Sequence, residues 1–245
     1  MPSEALFKIL HSVDSTNNYA MGMVHAGLAK HGMSWFAEVQ TAGKGQRGKT
    51  WKGAPKENIA LSIALQPKKL YSGHKFTLSM AIALASFDLF STYAPDETKI
   101  KWPNDLYWRD RKAGGILIEN VFQGNDWKWA VAGIGININQ SEFDPSLSNP
   151  VSLSQITGHD HEVLGLAKQL YDLVMKRFNE LTHRDSFELS KEYNQHLYKL
   201  NASVRLKKDS RIFETTVKEV SLEGQLITVD AMEHHFDFGE VEWLH

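Results

Sequence analysis

The spacing of hydrophobic residues in this chain of 245 residues changes once, near residue 200. Before that point, short runs with strand-like alternation stand between longer segments with helical spacing, which predicts an α/β core. After Asn201 only short strand-like runs remain, separated by turn residues at 209–210 and 223–224. We therefore expect two domains, residues 1–200 and residues 201–245, and we expect the second to be a small β-barrel.

The first of these domains is expected to contain strands and helices in alternation. Asn58 to Gln66 has apolar residues at every second position and predicts a strand. His74 to Tyr93 predicts a largely buried helix that is closed by Pro95. A long helix with Asp160 as its N-cap is predicted next, followed by a second helix over Ser186 to Leu200.

The composition excludes several classes of function. The chain contains no cysteine, which rules out disulfides, thiolate metal sites and cysteine nucleophiles. Its formal net charge of −2 gives no bulk attraction to DNA or to an anionic membrane, so we expect neither as a partner. The longest apolar stretch, Met80 to Phe90, is shorter than the about 20 residues that span a bilayer, and the N-terminus does not resemble a signal peptide. These observations predict a soluble, cytoplasmic protein.

The densest chemical signal lies directly after a predicted strand, where three glycines and three cations occur within seven residues. Glycines let backbone N–H groups approach an anion, and lysine and arginine donate charge-assisted hydrogen bonds to phosphate oxygens. The spacing matches neither a Walker nor a Rossmann pattern. A solvated basic loop is the alternative, and composition alone does not separate the two. The residues are Gly43, Lys44, Gly45, Gln46, Arg47, Gly48, Lys49, Thr50 and Trp51.

Four other segments carry polar residues or glycines where helices or strands begin or end. Asp14 to Asn18 is a cluster of small polar groups that is also typical of an N-cap. Lys101 to Asp105 combines a cation, an indole and a proline in what is otherwise a capped turn. Arg111 to Glu119 places a lysine and two glycines before an apolar strand, and the glycines of Gly133 to Asn139 leave room for a flat ligand or form a β-bulge.

Together and in this order, the five segments resemble the biotin–protein ligase family. The matching elements are Ser15-Thr16-Asn17, the loop from Gly43 to Trp51, Lys101-Trp102-Pro103-Asn104-Asp105, Lys112 to Glu119, and Gly133 to Asn137. The resemblance covers essentially the whole chain. It implies an α+β fold with a mixed β-sheet flanked by helices, as in the catalytic core of class II aminoacyl-tRNA synthetases. It also implies that residues 1–200 form the catalytic biotin- and ATP-binding domain, followed by a Src-homology-like β-barrel.

The resemblance implies an ATP-dependent ligase with biotin and ATP as substrates and Mg²⁺ at the phosphates. Such an enzyme forms biotinyl-5'-AMP and transfers biotin to a lysine of a biotin carboxyl carrier protein. Larger members carry an N-terminal helix-turn-helix that binds DNA, and we expect this chain to be a short form without it. By analogy, a homodimer that pairs through the central sheet is expected.

The resemblance also assigns roles to individual residues. The implied catalytic residues are Lys112, Arg47, Lys49 and Asp105, where Asp105 is either a base or a magnesium ligand. The implied biotin-binding residues are Ser15, Thr16, Asn17, Gln40, Gly43, Lys44, Gly45, Gln46, Lys112, Gly114 and Gly115. The implied adenylate-binding residues are Lys44, Arg47, Lys49, Trp51, Lys101, Asn104 and Asn137.

The glycine–cation loop departs from the family pattern. Lys44, Gln46 and Lys49 stand where arginine is usual, so the bidentate fork is lost at all three positions and the charge is lost at Gln46. Two alternatives to biotin ligation stay open at this stage. One is a lipoate–protein ligase, which uses the same adenylate chemistry, and the other is a biotin sensor without catalysis.

Overall fold

The computed structural model describes residues 6–67 and 75–244. In this part of the chain the first sheet has seven strands in the order β1-β2-β3-β7-β6-β5-β4. β1 and β2 are parallel and the other neighbours are antiparallel, so the predicted mixed sheet is confirmed. Its strands are β1 (Phe7–Leu10), β2 (Ser34–Ala37), β3 (Asn58–Leu65), β4 (Thr98–Lys101), β5 (Asp105–Trp108), β6 (Arg111–Gln123) and β7 (Asp126–Asn137).

Helices cover both faces of this sheet, which agrees with the expected mixed sheet flanked by helices. The odd-numbered residues of β3, from Ile59 to Leu65, belong to a large apolar core that also contains buried residues of α2, α4 and α5. The even-numbered residues Ser62 and Ala64 face α1 on the other side. The helices are α1 (Thr16–His25), α2 (Lys75–Tyr93), α3 (Leu153–Thr157), α4 (Val163–Glu180) and α5 (Ser186–Gln195).

Two predicted helix boundaries are wrong. The N-cap of α4 is Glu162 rather than Asp160. The helix begins at Val163, and the Glu162 carboxylate accepts hydrogen bonds from the backbone N–H groups of Leu164 and Gly165 in the first turn. The helix predicted over Ser186 to Leu200 ends at Gln195. The chain leaves the helix there because residues 196–198 hydrogen-bond with the backbone of Ile100 in β4, at 2.9 and 2.8 Å. The short helix α3 was not predicted.

The second sheet has five strands, all antiparallel, in the order β11-β10-β9-β8-β12. The pairing among the described residues leaves β11 and β12 as edges, so the predicted closure into a barrel is not seen. The buried residues of this sheet share the large apolar core of the first sheet, and the division into two domains at residue 200 stays a prediction. The strands are β8 (Ser203–Lys208), β9 (Arg211–Val220), β10 (Leu226–Val229), β11 (Glu233–Phe236) and β12 (Glu242–Leu244).

The predicted buried helix is α2, whose first predicted residue, His74, lies outside the described residues. Phe76–Tyr93 is long and apolar enough to cross a membrane by length and composition, although this segment is 61% buried inside the protein. It packs on the first sheet and on α4. Burial of this extent is typical of a core helix.

Candidate functional site

A cavity lies between the start of α1, the loop from Gly43 to Trp51 and the middle of β6 and β7. We call it the inner cavity. Sequence positions as distant as Ser15 and Gly135 meet there. The predicted biotin-binding residues that line it are Ser15, Thr16, Asn17, Gln40, Lys44, Gly45, Gln46, Lys112 and Gly115.

The other two predicted biotin-binding residues, Gly43 and Gly114, allow close backbone approach beside the cavity. The Gly43 carbonyl accepts a hydrogen bond from the backbone N–H of Trp51 at 2.8 Å, and a Cβ on Gly43 would overlap the Trp51 carbonyl. A Cβ on Gly114 would lie 2.8 Å from the carbonyl oxygen of Gly135 on the neighbouring strand. Direct contact of these two glycines with biotin stays a prediction.

At the α1 end of the cavity, which we call the head end, the neutral side chains of Thr16, Asn17 and Gln40 form a hydrogen-bonded network that ends on the carboxylate of Glu119. Gln40 Oε1 accepts from the backbone N–H of Thr16 at 2.8 Å and from Thr16 Oγ1 at 3.1 Å. Ser62 Oγ lies 2.8 Å from Thr16 Oγ1 and 2.6 Å from Asn17 Oδ1. Asn17 Nδ2 in turn donates to Glu119 Oε2 at 2.9 Å. These groups are therefore held in place before any ligand arrives.

The glycine–cation loop is a small hairpin with internal hydrogen bonds. The Gly45 N–H donates to the Lys49 carbonyl at 2.7 Å, and the Lys49 N–H donates to the Gln46 carbonyl at 3.1 Å. Arg47 at its tip has a φ of 54°, the left-handed region that most residues avoid. The hairpin ends at Trp51, whose indole lies so close to Gly135 that a Cβ there would come within 2.5 Å of it.

Gln46 and Asn104 both donate to the carbonyl of Ile116, at 3.3 and 2.6 Å. This carbonyl therefore joins the loop to the turn that follows β4. The other end of the Gln46 amide, Oε1, is buried and has no hydrogen-bond partner among the described residues. An arginine at this position would have no acceptor atom, so the substitution changes the hydrogen-bonding character of the site as well as its charge.

Lys112 and Asp105 form an ion pair of 2.6 Å between Nζ and Oδ1. Their side chains are 34% and 22% exposed, and both line the inner cavity and a larger groove outside it. A Cβ on Gly115 would lie 3.6 Å from Lys112 Nζ and 3.4 Å from Asp105 Oδ1. The absence of a side chain on Gly115 thus leaves space directly in front of this pair.

The larger groove, which we call the outer groove, runs between the glycine–cation loop, the 101–105 turn and the end of the second sheet. The second sheet contributes Lys207 and the segment Phe238 to Trp243, none of which was predicted. The predicted adenylate-binding residues that line the groove are Arg47, Lys49, Trp51, Lys101, Asn104 and Asn137. Lys44, predicted for both ligands, lines the inner cavity, where its Nζ lies 3.8 Å from Glu119.

The cations of the outer groove differ in how they are held. Arg47 and Lys49 are exposed, and Arg47 Nη1 donates to the carbonyl of Gly239 at 3.3 Å. Lys101 is only 6% exposed. Its Nζ donates to Tyr107 Oη at 3.1 Å and lies 5.4 and 5.3 Å from the ring centres of Tyr198 and Trp243. Burial lowers the pKa of Lys101 to about 8.

Asn137 lies at the end of β7, where it is nearly fully buried. Its Nδ2 donates to the carbonyls of Lys112 and Val151, at 3.4 and 3.1 Å. These bonds fix the backbone that carries Lys112. Contact of Asn137 with the adenylate stays a prediction.

Comparison with known proteins assigns this chain to a family. Residues 9–137, more than half of the chain, match the model of the biotin/lipoate A/B protein ligase family. The chain belongs to this family. The matched residues include the whole inner cavity and all five sequence segments that carry the resemblance, apart from the last residues of Gly133 to Asn139.

Named relatives and solved structures of the family are similar to this chain. The bifunctional ligase/repressor BirA of Escherichia coli is 33% identical over 141 residues, which are 58% of this chain and 43% of that protein. The biotin–acetyl-CoA-carboxylase ligase of Paracoccus denitrificans is 33% identical over 160 residues, 62% of this chain and 64% of that protein. The chain thus matches less than half of the length of the Escherichia coli relative.

Structural likeness extends over nearly the whole chain. The biotin protein ligase from Aquifex aeolicus in complex with biotin and ATP has a TM-score of 0.82 at 21% identity, covering 97% of this chain and 98% of that one. The biotin protein ligase from Leishmania major in complex with biotinyl-5-AMP has a TM-score of 0.67 at 22% identity, with 98% of both chains covered. At these identities the likeness shows a shared fold.

Sequence reasoning missed two residues that this family member places behind the cavity, Ser62 and Glu119. Ser62 is a buried polar residue within the apolar strand β3, and that contrast is a signal that could have identified it. Glu119 ends the motif that begins at Lys112, but its bond to Asn17 spans 102 positions and follows only from the fold. Lys207 and the segment Phe238 to Trp243 form no sequence motif that would indicate a site.

Proposed function

We propose that this chain joins biotin to ATP and then transfers biotin to a lysine of a biotin carboxyl carrier protein. The observation that carries the proposal is the position of the Lys112–Asp105 pair, where a cavity with a neutral, hydrogen-bonded end opens into a groove that carries several cations. A molecule with an uncharged head and a carboxylate tail fits the cavity, and a nucleoside triphosphate fits the groove. The names of two relatives support biotin as a substrate, and the related Aquifex aeolicus structure in complex with biotin and ATP supports the pair.

In the first step an oxygen of the biotin carboxylate attacks the α-phosphorus of ATP. The bond from that phosphorus to the bridging oxygen breaks, and pyrophosphate leaves. Two anions must meet, so the main task of the protein is to neutralise and position them. Lys112 at the junction is proposed to bind the carboxylate and α-phosphate oxygens, while Arg47 and Lys49 at the groove bind the outer phosphates.

In the second step the amine nitrogen of a carrier lysine attacks the carbonyl carbon of biotinyl-AMP. The carbon–oxygen bond to the phosphate breaks and AMP leaves. The amine must first lose a proton, since the reference pKa of lysine is about 10.4. We propose Asp105 as the acceptor, because its carboxylate lies at the same junction.

Magnesium would supply positive charge to the phosphates. Asp105 is already paired with Lys112, and residues 6–67 and 75–244 contain no group of three histidine, aspartate or glutamate side chains that could hold a metal ion. The donor set therefore fits a magnesium ion that is held chiefly by phosphate oxygens, with Asp105 as at most one protein ligand.

Exchange of radiolabelled pyrophosphate into ATP tests the proposal. We expect exchange that depends on biotin and that lipoate does not support. When a carrier domain is added, we expect biotin to become attached to it. Exchange with lipoate in place of biotin would show a lipoate–protein ligase. Tight biotin binding without exchange would show a sensor.

A further inference from the structure

Ser62 is a buried hydroxyl behind the inner cavity. It lies in β3, in an otherwise apolar run from Ile59 to Leu65, and its exposure is 0%. In the part of the chain that the structure describes, it does not line the cavity. It does contact two residues that line it, Thr16 and Asn17. Any effect of Ser62 on a ligand must therefore pass through these neighbours.

The protons of this network can be assigned by counting donors. Asn17 Oδ1 can only accept, so the single proton of Ser62 is donated to it across 2.6 Å. Asn17 Nδ2 donates to Glu119 Oε2 at the opposite end of the amide. Nδ2 also donates to the Leu117 carbonyl at 3.4 Å, so the Asn17 amide is fixed at both ends and cannot turn over without breaking three hydrogen bonds.

The same count fixes the hydroxyl of Thr16. Ser62 has no second proton, so at 2.8 Å the Thr16 hydroxyl must donate, either to Ser62 Oγ or to Gln40 Oε1 at 3.1 Å. In both cases the Thr16 proton is used within the protein, and lone pairs of its oxygen remain for a ligand. Gln40 Oε1 accepts two hydrogen bonds from Thr16, so Gln40 Nε2 is the end of that amide that can donate to a ligand.

We propose that Ser62 is a positioning residue that makes the head end of the inner cavity specific for a ligand with an N–H group next to a carbonyl. Thr16 Oγ1 accepts from the N–H, and Gln40 Nε2 donates to the carbonyl. The cyclic urea of biotin has this arrangement, so in naming the ligand the inference rests on the proposed function. Without the Ser62 hydroxyl, Asn17 Oδ1 loses its donor, and of the two neighbours that orient the Thr16 hydroxyl only Gln40 Oε1, the more distant one at 3.1 Å, remains.

The test compares four substitutions by calorimetric titration with biotin alone and by the KM for ATP in pyrophosphate exchange. Ser62→Ala should weaken biotin binding by about tenfold to a hundredfold, with the KM for ATP within twofold of the unchanged chain. Ser62→Cys should do the same, because a thiol is a weak donor. Ser62→Thr keeps the hydroxyl and should restore most of the affinity. Ser86→Ala is the matched control, since this serine is also buried but bonds within α2 to Ile82 at 2.9 Å.

A second measurement does not depend on biotin. In the ligand-free protein, the side-chain NH₂ signal of Asn17, assigned with Asn17→Asp, should exchange faster with solvent in Ser62→Ala and Ser62→Cys than in Ser86→Ala. Unchanged biotin affinity in Ser62→Ala and Ser62→Cys would overturn the inference. If the unchanged chain binds no biotin, the proposed function fails, and faster exchange at Asn17 would still support the positioning role.

Discussion

The inner cavity and the outer groove lie side by side and are built in opposite ways. The cavity has neutral groups on a helix start and on the central strands, and these groups hydrogen-bond to one another. The groove takes its cations from the glycine–cation loop, from β4 and from the second sheet. Of these, Arg47 and Lys49 are exposed.

The difference has a physical origin. Neutral donors and acceptors can satisfy one another, so the fold can fix them before a ligand binds. Neighbouring cations such as Arg47 and Lys49 repel one another, and an anionic ligand would relieve that repulsion beyond what the nearby carboxylates of Asp209 and Glu240 do. We therefore expect rigid recognition in the cavity and ligand-dependent ordering in the groove.

The largest effect is expected where the two regions join. Lys112→Ala should lower biotin-dependent pyrophosphate exchange by roughly a hundredfold or more, because a cation directed at developing charge is lost. Stability should change by less than about 1 kcal/mol, since the pair with Asp105 is partly exposed. Lys112→Arg should recover little, because a planar guanidinium cannot replace a point charge.

Lys218→Ala is the matched control for Lys112→Ala. Lys218 pairs with Glu233 at the same distance, 2.6 Å, and lies on the second sheet outside both regions. A thermal melt run beside the exchange assay separates loss of fold from loss of chemistry. Normal exchange in Lys112→Ala would remove this lysine from the site.

The next effect tests Trp51, whose side chain lines both the inner cavity and the outer groove and forms a wall between them. Gly135→Ala would place a methyl within 2.5 Å of the Trp51 indole, which must then move. We expect exchange to fall about tenfold and stability to fall by about 1–3 kcal/mol from overpacking. Gly22→Ala in α1 is the control. In the part of the chain that the structure describes, nothing lies within 4 Å of a Cβ added there, so this variant should leave exchange unchanged. Equal behaviour of the two variants would show that Trp51 is not a fixed wall.

A smaller effect separates Lys101 from the exposed cations of the groove. Burial holds its pKa at about 8, below the 10.5 of an ordinary lysine. Above pH 8 the folded protein loses this charge, so the KM for ATP in exchange should rise severalfold between pH 7 and pH 9.5. In Lys101→Arg, where the side chain stays protonated, the KM should be flat over this range.

The lowered pKa of Lys101 also predicts the direction in which the stability of the folded protein changes with pH. Between pH 8 and 10.5 the unfolded chain binds more protons at Lys101 than the folded protein does. Its contribution to the free energy of unfolding should therefore rise with pH across this window, by at most about 3 kcal/mol. Denaturant titrations of the unchanged chain and of Lys101→Met give this contribution as a difference. A difference in the free energy of unfolding that falls with rising pH would contradict the lowered pKa of Lys101.

The smallest effect concerns the glycine–cation loop. Trypsin cleavage after Arg47 should slow by about twofold to fivefold when biotin and ATP are both present, because the exposed loop then orders over the ligand. Cleavage after Lys30, an exposed lysine outside both regions, should not change. Equal rates at Arg47 with and without ligand would mean that the groove is as fixed as the cavity.

The sequence predicts those parts of the molecule whose signal is local. The alternation in β3 predicts both its strand and the side that meets the helices, because each residue's side depends only on its position. The five motifs likewise lie around one site. The role of Ser62 depends on side chains 45 and 46 positions away, and the end of α5 depends on pairing with Ile100, so neither could be predicted locally.

The contact between Lys101 and Trp243 has a consequence for the order in which the site is completed during synthesis. Proteins emerge from the ribosome N-terminus first. Every residue that lines the inner cavity precedes Ile136 in the chain, whereas the aromatic wall beside Lys101 includes Trp243 in the last strand. All residues that line the inner cavity are therefore synthesised before the second sheet begins, whereas the lining of the outer groove is complete only when the last strand has been synthesised.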